Sequence, residues 1–290
     1  MSYIRFGLMI LTSVVAMFIL MYLNTYAWEH LFFSETRTYM AILMGATMAV
    51  VMLAFMLSMY SDPRRNLAIF TGAAIVFALS LWLVRSQATV SGESYMRAMI
   101  PHHSIAIMTS ERSQIRDPRV KKLAHDIILA QQREIAEMRY LVGEVSEGRV
   151  VETIYQDPPA EEGTVEDALN NTLVATLDPA PMPEAEADAL LGPGSRCAFL
   201  RTAESDPVLW VSTETGDGGM KLNGVLIELK GSGDVEDDEM RLAAPGVTMT
   251  VRRLGDEASW RSDAELVFAL ERGLTVGYRG FWSCPPPGPG

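Results

Sequence analysis

The sequence predicts a multi-domain membrane protein: three transmembrane α-helices, an α-helical pair, and a small disulfide-closed antiparallel β-domain. Three observations carry this reading. The runs from Ile4 to Leu23, Met40 to Met59 and Leu67 to Val84 are nearly free of charge, and each is long enough to cross a hydrocarbon core of roughly 30 Å as a helix. A helical apolar period follows them over residues 91–149. Beyond an acidic, proline-rich stretch, short apolar runs alternate with Gly, Asp and Pro, the pattern of an antiparallel β-domain. The expected boundaries are an anchor at 1–88, a helical His-His domain at 89–150, a linker at 151–195 and the β-domain at 196–290.

The connectors Asn24 to Thr38 and Tyr60 to Asn66 are short, so the spans form an antiparallel array. A cleaved signal peptide fits the first span poorly, because two further spans follow at once and no small-residue cleavage site stands out. Lys and Arg near the spans set orientation. Arg5, Arg64 and Arg65 mark one side; Arg37, Arg85 and the more distant Arg97 lie on the other. This count expects an inner or plasma membrane location with the C-terminal region outside the cytoplasm, periplasmic or extracellular.

The two cysteines, Cys197 and Cys284, both fall in the last segment. Two and no spare is the usage of one oxidised bridge in a secreted compartment, which would contribute on the order of 4 kcal/mol. The net charge is −12, from 24 Lys and Arg against 36 Asp and Glu, and it argues against a nucleic-acid partner. The lipid bilayer is the first partner expected.

A first helix is expected from near Glu93 to Arg112. Asp117 followed by Pro118 is an N-cap with proline at the first helical position, which starts the second. Val120, Leu123, Ala124, Ile127, Ile128, Ile135, Met138 and Leu141 then fall at helical spacing. Two helices cannot bury both faces alone, so they need a partner: a homo-oligomer through this domain, or other parts of the chain. Val151 to Ser195 reads as an extended linker with a short helix around Val165 to Leu177. Strand-like runs follow at Cys197–Arg201, Val208–Thr213, Met220–Leu229, Val247–Leu254, Glu265–Leu270 and Leu274–Cys284, with Gly216 to Gly219 as a hairpin turn and Pro285 to Gly290 as a solvated tail.

The histidines are His30, His102, His103 and His125. Met99 lies three residues before His102 and four before His103, so it projects between them on a helix. Thioether and imidazole together suit a soft or borderline metal such as copper. The plainer reading makes His102-His103, after Pro101, a helix-start pair at a surface. Gln131 and Glu134 interrupt the apolar stripe of the second helix, with Met138 one turn further on. A buried carboxylate needs a partner. Glu134 is expected either to orient or ligate a metal, or to pair with Arg97 or Arg112. The metal candidates are therefore Met99, His102, His103, Gln131, Glu134 and Met138; His125 reads as a surface residue.

The run Tyr95-Met-Arg-Ala-Met-Ile-Pro-His-His-Ser-Ile-Ala-Ile-Met108, then Asp117-Pro-Arg-Val-Lys-Lys-Leu-Ala124, Ile127-Ile128, Gln131, Glu134-Ile135 and Met138, resembles the domain-of-unknown-function family numbered 305. The resemblance covers about Ser91 to Gly143, and the upstream part, Asn24-Thr-Tyr-Ala27 with His30 and Phe33-Ser-Glu-Thr-Arg-Thr-Tyr-Met40, is similar to that of membrane-anchored members. It implies a ferritin-like helical fold, and copper bound through Met and His in some periplasmic members.

Met40, Met44, Met48, Met52 and Met56 repeat every four residues in the second span. This spacing resembles the Met-x-x-x-Met of copper-transporter helices, but Met also fills gaps between membrane helices, and that is the reading taken here. No nucleophile–base constellation or phosphate loop stands out, so no enzyme is expected. The expectation is an envelope protein binding a copper ion for tolerance or delivery. The rival is a structural module that oligomerises through its helices and binds an envelope partner through the β-domain.

Overall fold

The computed structural model of the chain describes residues 2–156, 172, 177–232, 237–273 and 275–285. The chain divides into two compact units, Met1–Ala124 and His125–Gly290. The short helix expected around Val165 to Leu177, and the tail after Pro285, lie outside the described residues but for Thr172 and Leu177.

In the first unit, α1 (Tyr3–Leu20), α2 (Glu35–Phe55) and α3 (Pro63–Ser86) are each long and apolar enough to cross a membrane. The local chemistry fixes their ends. Ser34 caps α2 by accepting the Arg37 N–H, and Asp62 caps α3 by accepting those of Arg64 and Arg65 ahead of Pro63. Helix α2 is the central member, packed on both α1 and α3. Its buried face is small: Ala41, Gly45, Ala46 and Ala49 let the backbones approach. At Gly45 the approach is so close that a Cβ would lie 2.2 Å from Val14 Cγ2. The methionine ribbon lies beside this face, and Met52 and Met56 pack against the cluster of Phe6, Leu53 and Tyr60.

Helix α4 (Gly92–Arg112) begins where the Ser94 hydroxyl accepts the Ser91 N–H at 3.0 Å. Pro101 sits inside it, so His102-His103 is a mid-helix pair and not a helix start. Helix α5 (Pro118–Ser146) starts, as Asp117-Pro118 predicts, at the proline.

The second unit is a closed barrel. Its strands are β2 (Arg196–Leu200), β3 (Leu209–Ser212), β4 (Gly218–Leu222), β5 (Val225–Ser232), β6 (Glu239–Ala244), β7 (Val247–Arg253), β8 (Ala264–Leu270) and β9 (Thr275–Ser283). Each pairs antiparallel with the next, and β9 returns to pair with β2, so the eight form an up-and-down barrel without a free edge. A two-residue strand, β1 (Pro179–Ala180), extends the β3 edge of β4. The run Met220–Leu229, expected as one strand, is a hairpin: Asn223 and Gly224 both take positive φ, as a two-residue turn requires. Strand β6 was not expected at all. Gly218 and Gly219 belong to β4, and the turn lies just before them, at Gly216.

Alternation fills the interior. Val247, Met249 and Val251 point in from β7, Leu266 and Phe268 from β8, and Val276 and Tyr278 from β9. Ala136 of α5 joins this core, and the Tyr140 ring lies flat enough on β9 that a Cβ at Gly277 would stand 2.3 Å from it. Ion pairs brace the same face: Arg279 reaches Glu257 at 2.7 Å and Glu265 at 3.3 Å, and Arg252 reaches Glu265 at 3.3 Å.

Residues 178–191, read from sequence as linker, are built onto the barrel. Helix α6 (Glu184–Leu191) follows β1, and its Asp188 pairs with buried Arg196. Cys197 and Cys284 form the expected disulfide, with Cα atoms 4.1 Å apart, and it spans the β2–β9 seam.

Candidate functional site

Helix α4 carries Met99, His102 and His103 within one turn. Met99 and His103 are half-buried and His102 is exposed. The two imidazole centroids stand 6.0 Å apart with planes tilted by 57°. Ser104, the next residue, is fully buried and fixes the first loop to this helix. Its Oγ accepts the Tyr26 N–H at 2.7 Å and lies 2.9 Å from Nδ1 of His30. Both Ser104 and His30 are enclosed, and Tyr26 adds a hydroxyl bond to Glu111 at 3.1 Å. Arg37, stacked on the Tyr22 ring, donates to the Met21 and Pro101 carbonyls. The loop before α2 thus locks α4 by hydrogen bonds that each use a residue far away in sequence.

Gln131, Glu134 and Met138 lie on α5 in the second unit. Gln131 Nε2 donates to Glu134 Oε2 at 3.2 Å, and Arg133 approaches the other carboxylate oxygen at 3.8 Å. Within the first unit, Arg97 binds Glu93 at 2.6 Å. Met138 is buried, and His125 is exposed as expected. Among the described residues, no three of His, Cys, Asp and Glu are grouped as a metal ion would require. By chemistry, one thioether and two imidazoles on α4 are donors of the kind a soft or borderline ion takes.

Sequence reasoning missed a buried polar cluster at the barrel. Arg201 Nη2 donates to Asp178 Oδ2 at 2.6 Å and to the Pro179 carbonyl at 2.9 Å, and its guanidinium stacks 4.3 Å from the Tyr278 ring centroid. Tyr278 donates its hydroxyl to Asp178, and Arg139 of α5 donates to the carbonyls of Arg201 and Arg261. Burial pushes the Tyr278 hydroxyl far up, so it stays a donor. No local pattern signals this cluster, since Tyr278 and Asp178 are 100 residues apart.

Glu137 borders the cluster. Burial raises its carboxyl above the ordinary carboxylate range; Arg133 and Arg201 oppose this, and Asp178 and Glu134 add to it. A raised folded-state value means both states are protonated below the ordinary range, where folding carries no penalty. As pH climbs from that range through the raised value, ionisation favours the unfolded chain. Glu137→Gln is therefore expected to melt higher than the native protein at pH 7, with the difference vanishing in acid. Thermal unfolding from pH 3 to 8 checks this, and a difference that grows in acid would contradict it.

Two family models match overlapping parts of the chain. The model of the domain of unknown function DUF305 matches residues 92–190, and that of the domain of unknown function DUF6692 matches residues 144–287. The first runs past the helical stretch that carries the sequence resemblance, and the second takes in the barrel. Uncharacterized protein L153 of Acanthamoeba polyphaga mimivirus is 35% identical over 143 residues, covering 47% of this chain and 92% of that protein. No solved structure matches. Three membrane-type helices, a His-His helix and a bridged barrel define a membrane-anchored protein with two appended domains of unassigned role. The chain belongs to the DUF305 family, as a member with an additional C-terminal β-domain.

Proposed function

We propose that this protein holds copper as cargo at the Met99–His102–His103 turn of α4, outside the cytoplasmic face of a membrane, for tolerance or delivery. The observation that carries the reading is the set of three soft or borderline donors on one turn, with two imidazoles 6.0 Å apart. The thioether favours Cu(I) and the imidazoles Cu(II), so such a turn offers donors to either oxidation state. Nothing in the proposal requires catalysis. The arginines at the start of α3 support the orientation through the positive-inside rule.

The test is a competition titration of the full-length protein in detergent with Cu(I). Changing His102 and His103 together to Ala is expected to weaken binding by at least about 100-fold, while His125→Ala leaves it unchanged. Equal affinity in the double variant would remove the site from α4. A second reading, oligomerisation through the helices, draws on Val120 and Leu123, which are 47% and 57% exposed on the first turns of α5. It predicts a dimer or larger species by light scattering that Leu123→Glu disperses, with no copper bound.

A further inference from the structure

We infer that the three-helix anchor carries a phospholipid site: a groove between α1 and α3 takes one acyl chain, and Arg65 holds the phosphate. This goes beyond the copper reading and does not depend on it.

Helices α1 and α3 each pack on α2 and leave a groove of about 730 Å³ between them, floored by the small residues of α2. Gly45 and Ala49 form the floor, Gly7 and Ile10 one wall, Ile69 and Gly72 the other. Added Cβ atoms at Gly7 and Gly72 would meet nothing within 4 Å, so both glycines face the groove and serve no helix contact. The surroundings are apolar except at one end.

That end is defined by Tyr3 and Arg65. The Tyr3 hydroxyl donates to Asn66 Oδ1 at 2.9 Å and lies 3.2 Å from the Asp62 carbonyl oxygen, which fixes its ring beside the groove mouth. Arg65 lies 5.4 Å from that ring, with Nε 3.0 Å from Asp62 Oδ2. A guanidinium steadied through Nε keeps further donors in a fork that suits a phosphate.

The dimensions select the occupant. From Tyr3 to Val14 on α1, and from Arg65 to Val76 on α3, the groove runs eleven residues, roughly 16 Å at 1.5 Å per residue. A hydrocarbon core of roughly 30 Å gives each leaflet about half, so the groove matches one acyl chain hanging from a headgroup at Arg65. A helix from a second copy would need a channel across the whole core and would gain nothing from a cation at its mouth. The lipid comes from the leaflet that meets the N-terminus of α3.

Native mass spectrometry of the full-length protein in mild detergent, titrated with phosphatidylglycerol, tests this. The native chain is expected to retain one lipid per chain. Gly7→Leu with Gly72→Leu fills the groove while raising helix propensity, and is expected to lower the bound fraction by about tenfold or more. Arg65→Gln, at a side chain 67% exposed and outside the helix packing, is expected to weaken retention and to remove any preference over a neutral glycolipid. It keeps the test decisive should the filled variant misfold, which circular dichroism would reveal. Undiminished lipid retention in a folded Gly7→Leu/Gly72→Leu chain overturns the proposal. So does loss of a dimer in place of loss of lipid, since the groove would then belong to a second copy.

Discussion

Reducing the Cys197–Cys284 bridge is expected to lower the stability of the barrel by about 4.6 kcal/mol, the chain-entropy value for so long a loop. The bridge closes a sequence separation of 87, so the unfolded chain regains much freedom when it opens. It also lies at the most exacting contact of the fold. The β2–β9 pairing closes the barrel, and its register runs over only Ala198, Phe199 and Leu200 against Ser283, Trp282 and Phe281. Every other pairing among the eight barrel strands joins neighbours in sequence, whose turns hold them together. Chemical denaturation with and without reductant measures the effect. Identical midpoints would show that the seam holds without its bridge. Cys197→Ser with Cys284→Ser should reproduce the reduced protein.

The second large effect is expected at two glycines of β9 that fail for different reasons. A Cβ at Gly280 would stand 2.1 Å from the Leu200 carbonyl oxygen, a backbone atom of the seam strand, so Gly280→Ala must push β2 away. A loss of at least about 3 kcal/mol is expected, at the upper end for overpacking. The atoms nearest a Cβ at Gly277 are those of the Tyr140 ring of α5, the end of a side chain and not backbone. Gly277→Ala should therefore cost less, and much of that cost should disappear when Tyr140 is also changed to Ala. The double-mutant cycle is the measurement. Independent, additive losses at 277 and 140 would mean that the ring does not rest on β9.

The contrast between those glycines marks the limit of what the sequence made legible. Elements whose cause is local were readable: the three spans from uncharged length, α5 from Asp117-Pro118, the disulfide from two cysteines in one segment. The Asn223-Gly224 turn was readable too, as a strong hairpin signal, but the apolar residues on both sides of it merge into one run. Strand β6 hides behind acidic neighbours, and only Met240 and Leu242 betray its alternation. Barrel closure had no local sign, because it depends on two strands at opposite ends of the domain. Residues 178–191 look like a linker for the same reason: Asp178 and Asp188 find their arginines only in the folded chain. At the candidate site, the spacing of Met99, His102 and His103 and the Gln131–Glu134 bond follow from helical periodicity. The place of His30 against Ser104, 74 residues on, comes from the tertiary fold.

The bridge at the seam makes residues 197–284 a covalent circle, entered and left at neighbouring points. A circle behaves unlike a chain when cut. A single peptide-bond break in any turn of the barrel, such as Asn223-Gly224, opens the circle but releases no fragment, since both new pieces stay joined through sulfur. The strand on each side of the break also keeps a neighbour on its other edge. Two cuts within the circle, or one cut and a reductant, are needed before any strand can leave. A barrel attached upstream to membrane helices and closed on itself in this way is secured against a single proteolytic event at every turn.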